Sequence, residues 1–139
     1  MSALATLPPL QTAFRRLSTV LLVDRIEPCM EFWVDRLEFE VRLQIGGDDH
    51  LEFAILGRGD LEVVYRTRDS LHEDTPGLVD GETHQPWVVL YLQVDDLEEL
   101  LPRLEGIEVV VPMRETILGT REIFIREPSG RIVSLSSYN

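Results

Sequence analysis

Two stretches of the chain carry the same pattern of apolar and polar positions. Residues 18–42 run through an apolar segment ending in Val23-Asp24, a stripe at helical spacing (Met30, Trp33, Val34, Leu37) and a second apolar segment from Phe39. Residues 87–111 repeat that order, with Val94-Asp95, then Leu97, Leu100, Leu101 and Leu104, then a segment from Glu108. Alternation marks a strand and the i, i+3, i+4 recurrence marks a helix, so each stretch reads strand, helix, strand. A unit written twice predicts two half-sheets closing around a cleft, where a small molecule can sit.

The rest of the pattern extends both units. The first predicts a strand over 18–24, a helix over 27–37 with Pro28 in its first turn, and strands over 39–45, 51–56 and 61–66. Gly57-Arg58-Gly59-Asp60 has the composition of the hairpin turn between the last two. The second predicts strands over 87–94, 108–111, 121–126 and 131–136, and a helix capped by Asp95 or Asp96. Pro102 conflicts with the stripe of that helix and should kink or shorten it. Glu127-Pro128-Ser129-Gly130 fits a type I turn. Residues 1–17 are an extension in which Leu10, Phe14 and Leu17 predict a short amphipathic helix. The fold class is therefore α+β: one domain over 18–139, built of βαβββ modules 18–66 and 87–137, joined by an acidic linker over 67–86 that shows no periodicity. A linker that long is a lid or a mobile connection.

Composition removes whole classes of function. A net charge of -12 argues against nucleic acid and anionic membranes as partners, because both need basic patches. The same charge suits solubility and attracts cationic ligands. No stretch approaches the roughly 18 apolar residues of a membrane span, and the first residues do not look like a signal peptide. Cys29 is the single cysteine, which fits a reducing, cytoplasmic location. Cys29 reads as packing rather than as a nucleophile, since no histidine is placed beside it in the pattern. Trp33 reads as core between helix and sheet. His50 falls in a turn, and His72 and His84 in the linker, where solvated loop positions are the plain reading. There is no phosphate loop, Gly-x-Ser-x-Gly elbow or Cys-x-x-Cys pair.

Three segments in order resemble a known family. Gly119-Thr120-Arg121-Glu122, followed by Glu127-Pro128-Ser129-Gly130 and Leu135, resembles the Gly-x-Arg-Glu…Asp-Pro-Asp-Gly-x-x-x-x-Leu ending of the glyoxalase/bleomycin-resistance/extradiol-dioxygenase group, the vicinal oxygen chelate superfamily. Val23-Asp24, Cys29, Phe32-Trp33 and Leu37-Glu38-Phe39-Glu40 look like that group's Val-x-Asp…Ser-x-x-Phe-Tyr…Leu-Gly-Phe-Glu, and Val94-Asp95-Asp96-Leu97 fits the start of its second helix. Glu38, Cys29 and Trp33 replace the family's Gly, Ser and Tyr.

The resemblance implies where a divalent metal would be held. Its ligands would be His, Glu or Gln near the first and last strand of each module. Those positions fall at Ser18, Glu62 or Val64, Val89 and Ser134. Valine cannot coordinate and a serine hydroxyl is a poor donor for such metals, so Glu62 alone is suited. The resemblance therefore points to the family's drug-sequestering branch: no catalytic residue, no metal or other cofactor, a small-molecule ligand and a homodimer. High apolar content in so small a body favours the dimer too. If the family's inward face holds, the cleft is lined by Ser18, Glu62, Arg66, Trp87, Tyr91, Gln93, Phe124 and Ser134. The alternatives are a metal-dependent lyase, isomerase or dioxygenase of the same superfamily, and a regulatory or structural subunit that kept the fold.

Overall fold

The computed structural model describes residues 6–47, 49–75 and 88–138. Its strands form two four-stranded mixed sheets of matching topology. The first contains β1 (Val20–Val23), β2 (Glu40–Gly47), β3 (His50–Arg58) and β4 (Leu61–Thr67), in the order β1-β4-β3-β2. The second contains β5 (Val89–Gln93), β6 (Glu108–Glu115), β7 (Thr120–Arg126) and β8 (Ile132–Tyr138), in the order β5-β8-β7-β6. In each, the first strand runs parallel to the fourth and the remaining pairs are antiparallel. The helices are α1 (Glu27–Met30), α2 (Arg68–Asp74) and α3 (Leu97–Leu100). The α+β class and the βαβββ plan of each module are as the sequence predicts.

Alternation decides which residues meet. Leu21, Val23, Ala54, Leu56 and Tyr65 face the helices in the first sheet, and Ile123, Ile125, Val133 and Leu135 do so in the second. With Phe32, Trp33, Leu97 and Leu104 they make one continuous core across both modules. Trp33 meets Phe32 and Phe39 edge-on, with ring centroids 5.1 and 4.9 Å apart. Trp33 and Cys29 are both buried, as expected of them.

Several local expectations are corrected. The helix over 27–37 is α-helical only to Met30; Glu31–Arg36 continue as a π-helical turn. Leu10, Phe14 and Leu17 do not form an amphipathic helix: residues 8–11 and 13–19 are extended or irregular, and Phe14 and Leu17 stand 84% and 99% exposed. A stripe without a surface to bury it gives a short helix no stability. The linker opens with α2, whose N-cap Thr67 accepts the Ser70 N–H at 3.3 Å. The linker's residues 76–86, with His84, lie outside the described residues. Asp96 occupies the N-cap position of α3, but its side chain makes no capping bond. Pro102 shortens α3, which tightens into a 3₁₀ turn over Leu101–Leu104. The 127–130 turn closes as expected, the Gly130 N–H donating to Glu127 O at 2.8 Å.

Candidate functional site

The face of each sheet turned away from the helices is fixed by strand register. In the second sheet Tyr91, Ser134 and Phe124 lie side by side in one row. The next row is Gln93, Ser136, Glu122 and Arg114. Tyr91 is 60% exposed, and its hydroxyl accepts a hydrogen bond from Ser136 Oγ at 2.9 Å. Between the two rings Ser134 is fully buried, and its Oγ has no hydrogen-bond partner among the described residues. A buried hydroxyl without a partner is unusual and costly. Glu122 is buried, and Arg114 donates to its Oε1 from Nε at 2.9 Å and from Nη2 at 2.6 Å. The Arg114 guanidinium also lies over the Phe124 ring, 5.9 Å from its centroid.

In the first sheet the corresponding rows are Val20, Val64, Ile55 and Leu43, then Leu22, Arg66, Phe53 and Ile45. Val64 is buried on this face. Glu62 pairs across the strand with Gly57 and sits between two arginines, Arg16 at 3.3 Å and Arg42 at 3.4 Å. Gly57 makes this possible, because a Cβ there would collide with the Arg42 guanidinium. Arg42 lies where the β2–β3 register shifts, and also donates to Gly59 O at 2.6 Å. Glu62, Arg16, Arg42, Ser18 and Asp60 line a depression of about 400 Å³. Arg66 donates to Ser70 and reaches Asp74 at 3.3 Å, so it is engaged by α2.

A buried polar chain joins the modules behind these faces. Trp33 Nε1 donates to Tyr65 Oη at 2.8 Å, and Tyr65 Oη donates to Glu127 Oε2 at 2.7 Å. Glu127 Oε1 accepts the Ser129 and Arg131 backbone N–H groups and the Ser129 hydroxyl. Arg131 returns to Leu22 O at 2.7 Å. Burial, with the Glu127 charge beside it, pushes the Cys29 thiol up to about 12 and the Tyr65 phenol upward as well. Cys29 is thus held protonated, which fits packing and not nucleophilic attack.

The expected site residues divide by location. Ser18 and Glu62 share the depression beside Arg16 and Arg42. Tyr91, Ser134 and Phe124 share one row of the second sheet. Gln93, on the same face by alternation, lines a different hollow with Arg36, Glu38 and Arg58. Trp87 lies outside the described residues. Arg42 and Arg114 went unread in the sequence because bulges in β2 and β6 break simple alternation at Arg42 and before Arg114, and Arg16 because it lies in the extension before β1, where no periodicity places it. The metal-ligand positions do not fit a metal: Ser18, Val64, Val89 and Ser134 offer hydroxyls or hydrocarbon, and the Glu62 carboxylate is neutralised by two guanidinium groups. Among the described residues no three His, Cys, Asp or Glu side chains gather to hold an ion. His50 and His72 are exposed.

Comparison with known proteins bears on the fold. A family model described as Glyoxalase/Bleomycin resistance protein/Dioxygenase superfamily matches residues 15–135. No curated protein matches the chain. Among solved structures, TioX from Micromonospora sp. ML1 superposes with a TM-score of 0.71 at 17% identity, covering 91% of this chain and 100% of that one. A lactoylglutathione lyase from Agrobacterium tumefaciens gives 0.69 at 17% identity, over 91% of this chain and 95% of that one. A bleomycin-binding protein from bleomycin-producing Streptomyces verticillus, complexed with copper(II)-bleomycin, gives 0.59 at 21% identity, over 93% and 100%. At these identities the likeness establishes a shared fold.

Proposed function

The chain belongs to the glyoxalase/bleomycin resistance protein/dioxygenase superfamily, and on that premise we propose that it binds a small cationic or aromatic molecule without a metal ion and sequesters it unchanged. The carrying observation is the donor set. The positions where the family resemblance puts metal ligands hold Ser18, Val89, Ser134 and either Val64 or a Glu62 already committed to Arg16 and Arg42. What remains on the open faces suits an organic ligand: the Tyr91 and Phe124 rings, apolar Val20, Ile55 and Val89, and a few polar anchors. The solved structure of a bleomycin-binding protein with this fold supports the reading by analogy. A homodimer in the cytoplasm completes the proposal.

The same fold in a lactoylglutathione lyase supplies the competing reading, a metal-dependent enzyme. Metal analysis of tag-free protein separates the two. The binding reading expects no stoichiometric metal and no gain in thermal stability on adding zinc, nickel, iron(II) or manganese. Near-stoichiometric metal with a matching gain would overturn it. A thermal-shift screen over cationic antibiotics and small aromatic metabolites should yield at least one stabilising compound by mass action. Silence across a broad library would favour a subunit that kept the fold without a ligand.

A further inference from the structure

We infer that Arg114 stands in for the cationic group of the ligand: Glu122 and Phe124 form a site for a planar, delocalised cation of the amidinium or guanidinium class, which binds by displacing the Arg114 head. The inference rests on the sequestration reading above and adds the chemistry of one anchor point.

The pair is asymmetric. The Glu122 side chain is 9% exposed, whereas that of Arg114 is 58% exposed. The carboxylate is fixed in the sheet and costs a great deal to leave unpaired. The arginine reaches it from solvent and can swing away. Both Arg114 donors fall on Oε1, so the pairing is end-on rather than the two-oxygen fork that planar cations make best. A free amidinium, not tethered to β6, can engage both oxygens. It would also inherit the Phe124 ring face that Arg114 now covers at 5.9 Å. The neighbouring row adds an independent sign. Ser134 Oγ, flanked by Tyr91 and Phe124 on the same face, is fully buried and, among the described residues, unpartnered. Being fully buried, that hydroxyl gains a partner only when the rings beside it shift to admit one. The net charge of -12 raises the local concentration of any cation.

The test uses the full chain, with benzamidine as probe and uncharged benzamide as its isostere. Arg114→Ala removes the internal competitor. Benzamidine should raise the melting temperature of Arg114→Ala more than that of the wild type, with apparent affinity tighter by about tenfold, and benzamide should do neither. Adding Glu122→Gln to that variant should abolish the response. If Arg114→Ala is too unstable to purify, Arg114→Gln keeps a donor to the buried carboxylate and carries the same expectation. Equal affinity of benzamidine for variant and wild type, or equal binding of benzamide, would overturn the assignment. A library compound that binds while benzamidine is silent and Glu122→Gln has no effect would overturn it and leave the sequestration reading standing. Silence of every compound would overturn both.

Discussion

Glu38 holds a backbone conformation that glycine would adopt at no steric cost. Its φ is +60°, and among the described residues no other non-glycine has a positive φ. The left-handed region costs an L-residue about 1 kcal/mol, through its Cβ. The compensation is modest: Glu38 O accepts from Arg58 Nη1 at 3.0 Å, which any residue would supply, and its exposed carboxylate sits 3.8 Å from Arg103. Glu38→Gly should therefore raise stability by about 0.5 kcal/mol, the relief of strain slightly exceeding the greater freedom of the unfolded chain. The midpoint of urea unfolding at constant m-value measures it. Tyr65 is the opposite case. Its hydroxyl serves Trp33 and Glu127 at once. Tyr65→Phe strands a buried indole N–H and removes a donor from a buried carboxylate, so it should cost about 3 kcal/mol. These residue-scale facts were only partly legible. The resemblance identified the glycine position at Glu38, but no spacing rule links Trp33, Tyr65 and Glu127, which meet only after both modules have folded.

At the scale of elements, strands were easier to read than their ends. Alternation located all eight strands of the described residues, because a half-buried strand must place an apolar side chain on every second position. β6 was the exception. Its register shifts around Pro112, and it runs on to Glu115 where the sequence suggests a stop near Val111. The candidate site suffers from the same cause, since Arg114 follows that irregularity. The short helices mislead because tertiary contacts outweigh their own propensity. α1 is an example. It is tied at its first residue, where Glu27 Oε1 accepts the Leu51 N–H at 2.8 Å. Burial pushes the Glu27 carboxyl up, but the backbone N–H bonds and Arg25 outweigh it and the pKa falls below the ordinary value. Its buried Cys29 sets a second pH dependence. Folding holds that thiol protonated up to about 12 against an ordinary 9.0. The stabilisation is complete below pH 9 and is lost as pH rises toward 12. Between pH 9 and 10 the wild type should lose stability faster than Cys29→Ala, by up to about 1.4 kcal/mol per pH unit. Urea titrations of both proteins at those two pH values check this. Parallel loss would mean that the thiol is not held protonated.

For the whole molecule, the open faces pose a question of partners. Val20, Leu43, Ile45, Val89 and Tyr91 are each 45% or more exposed. They stand on the sheet faces turned away from the core, and contiguous apolar surface of this kind marks a binding or subunit interface. Opposing any self-association is the charge of -12 on each chain. Hydrophobic burial gains from contact and hardly depends on dilute salt, whereas like-charge repulsion across an interface is screened over about 10 Å at 0.1 M ionic strength. A homodimer of this chain should therefore be strengthened by salt. Light scattering should give about twice the 15.9 kDa chain mass, and the dimer dissociation constant should fall several-fold between low and roughly 0.3 M ionic strength, where the Debye length has shrunk well below 10 Å. Ile45→Asp places a further negative charge on the open face of the first sheet and should shift the equilibrium toward monomer, with a steeper salt dependence than the wild type. A chain that scatters as a monomer at every salt concentration would mean that these faces are kept for ligand alone, and that a single subunit must build the whole cleft.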